Sequence, residues 1–188
     1  MSRVMIVDDE ESILKSLQRL LRLAPCICGK KTFALEVDAF NSPQAALEAA
    51  QKETYDLFIS DYRMPIMDGI EFLKAAKAIQ PDAARLILSG YADLNALVRA
   101  VNEVGIDRFI GKPWNDYELM SAIGQALAHR ELALENRELA NLVRIEMGDT
   151  TPEAVEAARL ESMEPGITRV NWGPDGSVIL DPEFQAEK

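Results

Sequence analysis

Polar residues that can carry chemistry stand at the ends of four apolar runs. Asp8 and Asp9 follow "RVMIV", Asp61 follows "DLFIS", Ser89 ends "ARLILS", and Lys112 follows "DRFIG". Three carboxylates at one place repel each other, so they need a cation to stay ionised together. Ligand sets made only of oxygen favour Mg²⁺ over softer metals. If the run ends meet in the fold, the sequence predicts a magnesium site.

A phosphoryl group is the anion to expect beside such a metal, because Mg²⁺ tends to share its coordination sphere with phosphate oxygens. Lys112 would supply a positive charge and Ser89 a hydroxyl to those oxygens. A carboxylate can itself act as a nucleophile and form an acyl phosphate. Asp61 is the best placed candidate, since its run has a predicted strand on either side.

The runs alternate five times with helical patterns. The predicted strands are "RVMIV", "FALEVDAF", "DLFIS", "ARLILS" and "DRFIG"; the predicted helices are "SILKSLQRLLRL", "NSPQAALEAAQKE", "GIEFLKAAKAI", "DLNALVRAVNEV" and a last one starting at Asn115. Ser12 and Ser42 stand where helix caps are expected, with Pro43 in the first turn of the second helix. The pattern predicts an α/β fold, a doubly wound (βα)5 sandwich with a five-stranded, mainly parallel sheet. Ligands of such sheets bind at the carboxyl ends of the strands.

Composition narrows the class of protein. The chain has 188 residues and is 48% hydrophobic, which predicts one core of ordinary size with an appendage. A net charge of -11 argues against direct binding to nucleic acid, which needs basic residues against phosphates. No apolar run of 18 residues and no signal peptide are present, so we expect a cytoplasmic protein without a membrane partner. Cys26 and Cys28 fit a reducing compartment, and burial or chance explains them better than a zinc site with only two of its four ligands.

Four motifs resemble the receiver domain of two-component response regulators. They are "VDDEE", "SDYRMPIMDG", "ILSGYAD" and "FIGKPW", which occur in this order over residues 1–130. The resemblance implies that Asp61 is the phosphoacceptor. It implies that Asp8 and Asp9 bind Mg²⁺, directly and through water, and that the backbone carbonyl of Arg63 is the remaining protein ligand.

The same resemblance assigns the residues around the phosphoryl group. Lys112 would contact that group and be followed by a cis peptide bond, and Ser89 would be the switch hydroxyl. Phe109 stands at the position of the switch aromatic, without the hydroxyl that tyrosine would offer; a plain core aromatic is the alternative. Arg63 and Tyr91 occupy the positions that tune dephosphorylation.

The function that follows is that of a phosphorylatable regulator. A histidine kinase or phosphotransfer protein would donate the phosphoryl group, and an output protein or a second copy would read the changed surface. One alternative is a phosphatase with an aspartyl nucleophile, which would need Asp-x-Asp where this chain has Tyr62 and Arg63 after Asp61. Two others are a scaffold that is not phosphorylated and a receiver fragment of a larger regulator.

The chain beyond residue 130 has no counterpart in the resemblance. The last helix is predicted to run on through residues 131–147, where Leu132, Asn136 and Leu139 have the spacing of a short parallel coiled coil. We therefore expect a homodimer, with a helix folded back over its own domain as the alternative. Residues 148–188 are predicted to be an acidic tail with a short helix and a β-hairpin around "PDG".

Overall fold

The computed structural model describes residues 1–90, 104–163 and 166–168. The chain divides into two compact units, residues 1–136 and 137–188. Tyr91, most of the predicted fourth helix and most of the predicted terminal β-hairpin lie outside the described residues. In the part of the chain that is described, no helix is long and apolar enough to cross a membrane.

Seven strands and five helices make up the described chain. The strands are β1 (Ser2–Val7), β2 (Cys26–Cys28), β3 (Lys31–Phe33), β4 (Leu35–Phe40), β5 (Leu57–Asp61), β6 (Ala84–Gly90) and β7 (Arg108–Lys112). The helices are α1 (Glu11–Leu23), α2 (Pro43–Lys52), α3 (Gly69–Ile79), α4 (Asp116–Glu146) and α5 (Pro152–Met163).

The main sheet is parallel throughout, and its strand order is β4-β1-β5-β6-β7. This confirms the predicted five-stranded parallel sheet. β5 lies in the centre, so Asp61 ends a strand that has a neighbour on both sides. The carboxyl ends of β1, β5, β6 and β7 form one edge of the sheet, where Asp8, Asp61, Ser89 and Lys112 lie.

Two hydrophobic clusters cover the two faces of the sheet. Side chains alternate along a strand, so Val4 and Ile6 of β1 join the cluster formed with α1 and α4, whereas Met5 and Val7 join the one formed with α2 and α3. The three central strands β1, β5 and β6 are buried on both faces, as parallel strands between helical layers are. This packing on both faces fixes the positions of the strand ends relative to one another.

Helix starts agree with the predicted caps at all but one position. The Ser42 hydroxyl accepts a hydrogen bond from the Ala45 amide, and Asn115 does the same for the Tyr117 amide at 2.9 Å. The prediction for Ser12 was wrong, because α1 begins at Glu11 and has no side-chain cap. The Glu10 amide instead donates to Asp8, which sets the turn before the helix starts.

The prediction of one strand over "FALEVDAF" was also wrong. The segment breaks at Ala34: β3 pairs with β2 in an antiparallel hairpin, and β4 pairs with β1 in the main sheet. The alternating pattern runs through both strands, so it could not show that the pairing partner changes. The long connection "APCICGKKT" thus forms most of a hairpin between α1 and β4.

The two cysteines of the hairpin lie in different environments. Cys26 is buried, with its sulfur 3.9 Å from the Met120 carbonyl oxygen, and Cys28 is half-buried. Both thiols are free. Burial raises the pKa of the Cys26 thiol to about 11, and the neighbouring Cys28 adds to the shift. Cys26 is therefore a core residue, as a buried thiol without a charged partner should be.

Alkylation should distinguish these two thiols. The thiolate is the reactive form, so at pH 8 Cys26 should react at least about tenfold more slowly than Cys28. Mass spectrometry of peptides after timed iodoacetamide labelling measures both rates. Equal rates in the folded protein would contradict the burial of Cys26, whereas equal rates in urea are the expected control.

Candidate functional site

The ammonium group of Lys112 lies between two buried carboxylates. Its Nζ atom is 2.7 Å from Asp8 Oδ2 and 2.5 Å from Asp61 Oδ1. Asp8 follows β1, Asp61 ends β5 and Lys112 ends β7, so the parallel sheet brings together three residues that are far apart in sequence. Asp8 is 1% exposed and Asp61 is 6% exposed. The negative charges of both carboxylates are thus compensated by the ammonium group of Lys112.

Backbone amides hold the second oxygen of each carboxylate. The Glu10 amide donates to Asp8 Oδ1 at 2.9 Å, and the Arg63 amide donates to Asp61 Oδ2 at 2.8 Å. Each carboxylate therefore has one oxygen held by its own loop and one facing Lys112. Charge-assisted hydrogen bonds of this kind fix orientation as well as charge.

Burial also changes the titration of the site. Desolvation raises the pKa of the Asp61 carboxyl above its ordinary value, and the charge of Asp8 adds to the rise, while Lys112 and the Arg63 amide oppose it. Burial acts to lower the pKa of Lys112, but its hydrogen bonds to Asp61 and Asp8 outweigh burial and raise it. Lys112 is consequently a permanent cation in this site at neutral pH.

Asp9 and Ser89 differ in their exposure to solvent. Asp9 is exposed and lines an open groove of about 390 Å³ with the loop from Tyr62 to Pro65 and with Asp68. Ser89 is buried at the end of β6, and its hydroxyl donates to the Gly90 carbonyl at 3.2 Å. Strand register sets Ser89 beside Gly111, next to Lys112.

The oxygen donors have the right chemistry for a hard divalent cation such as Mg²⁺. Asp8 and Asp61 already share one cation, the ammonium of Lys112, which shows that their charges converge. Among residues 1–90, 104–163 and 166–168, no three His, Cys, Asp or Glu side chains are gathered tightly enough to hold a metal ion. Asp9 differs from Asp8 and Asp61 in being exposed to solvent.

The remaining predicted residues are placed as follows. Phe109 is half-buried and packs against the cluster formed with α2 and α3, which suits both a switch aromatic and a core residue. The bond between Lys112 and Pro113 is cis, as the resemblance implied. Tyr91 lies outside the described residues.

Gly69 is a positioning residue for which sequence reasoning stated no role. A Cβ atom at Gly69 would lie 2.1 Å from the carbonyl oxygen of Asp61, so only glycine allows α3 to start this close to the end of β5. Asp68 caps α3 in a reciprocal pair with Glu71, and the Gly69 amide donates to the Tyr62 carbonyl at 2.9 Å. The pattern Asp68-x-x-Glu71 was a readable capping signal, but the contact of Gly69 with β5 was not.

The loop that joins β5 to α3 also contains a strained turn. Ile66 has a φ of 75° and is 93% exposed, and the Met67 amide donates to the Pro65 carbonyl at 2.9 Å. A β-branched residue at positive φ is costly, so the surrounding loop must impose it. The short turn lets the chain return from Asp61 to α3 within a few residues.

Substitution of Gly69 by Ala should damage the site through the backbone of Asp61. We expect the free energy of unfolding to fall by about 1–3 kcal/mol, the usual cost of forcing an extra carbon into a packed region. Urea unfolding measures it. Gly111→Ala is the matched control, since a Cβ there meets nothing within 4 Å. Equal stability of Gly69→Ala and wild type would contradict the close packing.

The strand order and the site together define a class of protein. When the five strands of the main sheet alone are numbered along the chain, their order in the sheet is 2-1-3-4-5. A doubly wound parallel sheet with this order, two buried carboxylates and a lysine at its carboxyl edge is a flavodoxin-like receiver fold. Residues 4–124 match the response regulator receiver domain family. The chain belongs to that family, whose members are signalling proteins of two-component systems.

Similar proteins include regulators with longer chains. The C4-dicarboxylate transport transcriptional regulatory protein DctD of Rhizobium meliloti is 31% identical over 136 residues, which are 72% of this chain and 27% of that protein. The transcriptional regulatory protein FixJ of Bradyrhizobium diazoefficiens is 29% identical over 165 residues, 88% of this chain and 75% of FixJ. The chain thus spans about a quarter of the length of DctD and of several other relatives.

A solved structure gives the same result for the fold. The signal receiver domain of an HD domain-containing protein from Pseudomonas fluorescens Pf-5 is 34% identical, with a TM-score of 0.59. The likeness covers 69% of this chain and 97% of that one. It confirms the receiver resemblance that the four motifs carried.

Proposed function

We propose that the chain accepts a phosphoryl group on Asp61 from a histidine kinase or phosphotransfer protein in a Mg²⁺-dependent reaction. The state of Asp61 would then be signalled by conformational change, through protein contacts or dimerisation. The observation that carries this proposal is the Lys112 ammonium placed between Asp8 and Asp61. A buried carboxylate at a strand end, facing a fixed cation, is suited to receive a dianionic group.

The transfer is a displacement at phosphorus. A carboxylate oxygen of Asp61 attacks the phosphorus of a phosphohistidine, the P–N bond breaks, and its electron pair stays with the imidazole nitrogen. The product is an acyl phosphate on Asp61 and a donor histidine that takes up a proton. The Arg63 amide, which holds Asp61 Oδ2, orients the carboxylate for this attack.

A magnesium ion would be held by the carboxylates of Asp8, Asp9 and Asp61 and by the backbone carbonyl of Arg63. When bound, it would supply the charge that neutralises phosphoryl oxygens. The chain's own contribution is the positive charge of Lys112, which already lies 2.5 Å from Asp61. Lys112 would follow the new phosphoryl oxygens, weakening its pair with Asp8.

Ser89 and Phe109 would change conformation when Asp61 is phosphorylated. Among the residues that the structure describes, the Ser89 hydroxyl donates to the neighbouring Gly90 carbonyl at 3.2 Å, and it can turn from there to a phosphoryl oxygen at small cost. Phe109, half-buried two residues before Gly111, could then move with that strand end. Arg63 and Tyr91 would tune the lifetime of the phosphoryl group.

The phosphorylation state of Asp61 would be recognised through contacts with another protein. The net charge of -11 supports a protein partner rather than nucleic acid, although DctD and FixJ are transcriptional regulatory proteins. We assign residues 1–130 to the receiver, 131–147 to a helical extension and 148–188 to an acidic tail. A receiver that works within a larger regulator is the second candidate, because several relatives are about four times as long as the matched region. Phosphorylation would take place in the cytoplasm, where two-component phosphodonors act.

A stripe on the second half of α4 favours a homodimer. Leu132, Leu139, Leu142 and Val143 are each between 48% and 59% exposed. Leu132 and Leu139 are seven residues apart, as in a heptad repeat, and Asn136 between them would favour two parallel helices in register. We name these four residues the coiled-coil stripe.

Phosphorylation at Asp61 can be tested directly. Incubation with Mg²⁺ and a small acyl phosphate should add one phosphoryl group to the wild type, detected by intact mass spectrometry. Asp61→Asn should reduce the yield at least about a hundredfold, because the amide is not a nucleophile. Asp82→Asn, at an exposed aspartate of the same domain, should leave the yield unchanged. Equal labelling of Asp61→Asn and wild type would exclude Asp61 as the acceptor.

The dimer has its own test. Light scattering should give the wild type a mass of twice 20.9 kDa, at least when beryllofluoride mimics the aspartyl phosphate. Leu139→Asp should return it to a single chain, because a charge in the seam must be desolvated. Asn141→Asp adds the same charge outside the stripe and should leave the dimer intact. A dimer that survives Leu139→Asp would place the contact elsewhere.

A further inference from the structure

The β2–β3 hairpin, residues 26–33, lies against the first half of α4. It touches the helix at three levels: Cys26 at the Met120 carbonyl, Ile27 at Gly124, and Lys31 in an ion pair with Glu131. Lys31 also lies over the Phe33 ring, 5.4 Å from its centre. The contacts cover three turns of α4, so we call this hairpin the strap.

Gly124 makes the closest of these contacts. A Cβ atom there would lie 2.9 Å from the Ile27 carbonyl oxygen and 3.2 Å from its carbonyl carbon, both of them backbone atoms. Glycine in a helix interior costs stability relative to alanine. The helix therefore bears a local cost that the close approach of the strap offsets.

Residues before the amino ends of two strands also contact α4. Arg130 forms an ion pair of 2.8 Å with Asp56, just before β5, and His129 lies 3.5 Å from Asp107, just before β7. The other oxygen of Asp56 accepts from the Arg3 amide at 2.8 Å. Strap and sheet edge together restrain α4 from residue 120 to residue 131.

The strap joins the same two stretches of chain that meet at the phosphorylation site. Asp8 precedes α1, and α1 leads directly into the strap, whereas Lys112 precedes α4. The ion pair of Asp8 with Lys112 ties these stretches together at the carboxyl edge of the sheet, and the strap ties them together again further along α4. The strap is thus a second place at which these two stretches of chain are held together.

We propose that the strap is a restraint that couples α4 to the state of Asp61: it holds residues 120–131 of the helix on the domain, so that release of Lys112 from Asp8 shifts the helix as one body. The coupling rests on the proposed phosphorylation of Asp61, but the restraint itself does not. Without the strap, the same segment would open locally and absorb the change.

Gly124→Ala separates the restraint from ordinary helix propensity, because the two predict opposite results. Alanine alone should slow amide hydrogen exchange in α4. If the strap restrains the helix, the Cβ atom pushes Ile27 away and exchange over residues 120–131 rises about tenfold. Slower or unchanged exchange in the full-length variant would overturn the proposal.

A second variant avoids any packing defect. Lys31→Ala removes the ion pair with Glu131 and should raise exchange over residues 127–131 about threefold, a small local opening. Lys15→Ala is its matched control, because it breaks a similar exposed pair, with Glu11 on α1, at 2.8 Å. Equal rates of amide hydrogen exchange over residues 127–131 in Lys31→Ala and Lys15→Ala would show that Lys31 does not restrain α4.

Beryllofluoride with Mg²⁺ then tests the coupling. In the wild type it should change exchange over residues 120–131 at least about threefold. In Gly124→Ala it should still bind but leave that segment unchanged. Binding without any change in wild-type α4 would overturn the coupling alone. Failure of beryllofluoride to bind the wild type would overturn the proposed function, while the exchange of Gly124→Ala still decides the restraint.

Discussion

The placement of one ammonium between two buried carboxylates is the constraint on which the rest of the structure depends. Asp8 and Asp61 are almost fully buried, and a buried carboxylate without a partner is costly. Lys112 compensates both, which requires the ends of β1, β5 and β7 to lie within a few ångströms of each other. A parallel sheet with helices on both faces achieves this, because all its carboxyl ends share one edge.

The same arrangement makes the site responsive. A third negative group cannot enter without changing how the single cation is shared, and Lys112 is attached to the strand that leads into α4. In the proposed function, a new negative charge at Asp61 would therefore displace the end of β7. Removal of one partner from a buried ion pair is costly, because it leaves an uncompensated charge.

Two glycines of the described residues lie where a Cβ atom would be too close to another backbone segment. Gly69 lets α3 begin against the Asp61 carbonyl, and Gly124 lets the hairpin rest on α4. The first contact belongs to the receiver fold. The second contact depends on the β2–β3 hairpin between α1 and β4. Through this contact, the segment that follows α1 is connected with α4.

Much of this protein was determined by local sequence. Five alternations of strand and helix predicted the parallel sheet, and the apolar runs ending in Asp8, Asp61, Ser89 and Lys112 identified the edge that carries the site, because periodicity and strand ends are local properties. Ser42 was readable as a cap for the same reason. The division of "FALEVDAF" into two strands, the unused cap at Ser12 and the roles of Gly69 and Gly124 were decided only by tertiary structure. Each depends on which distant segment lies alongside, and a local pattern of residue types carries no record of that neighbour.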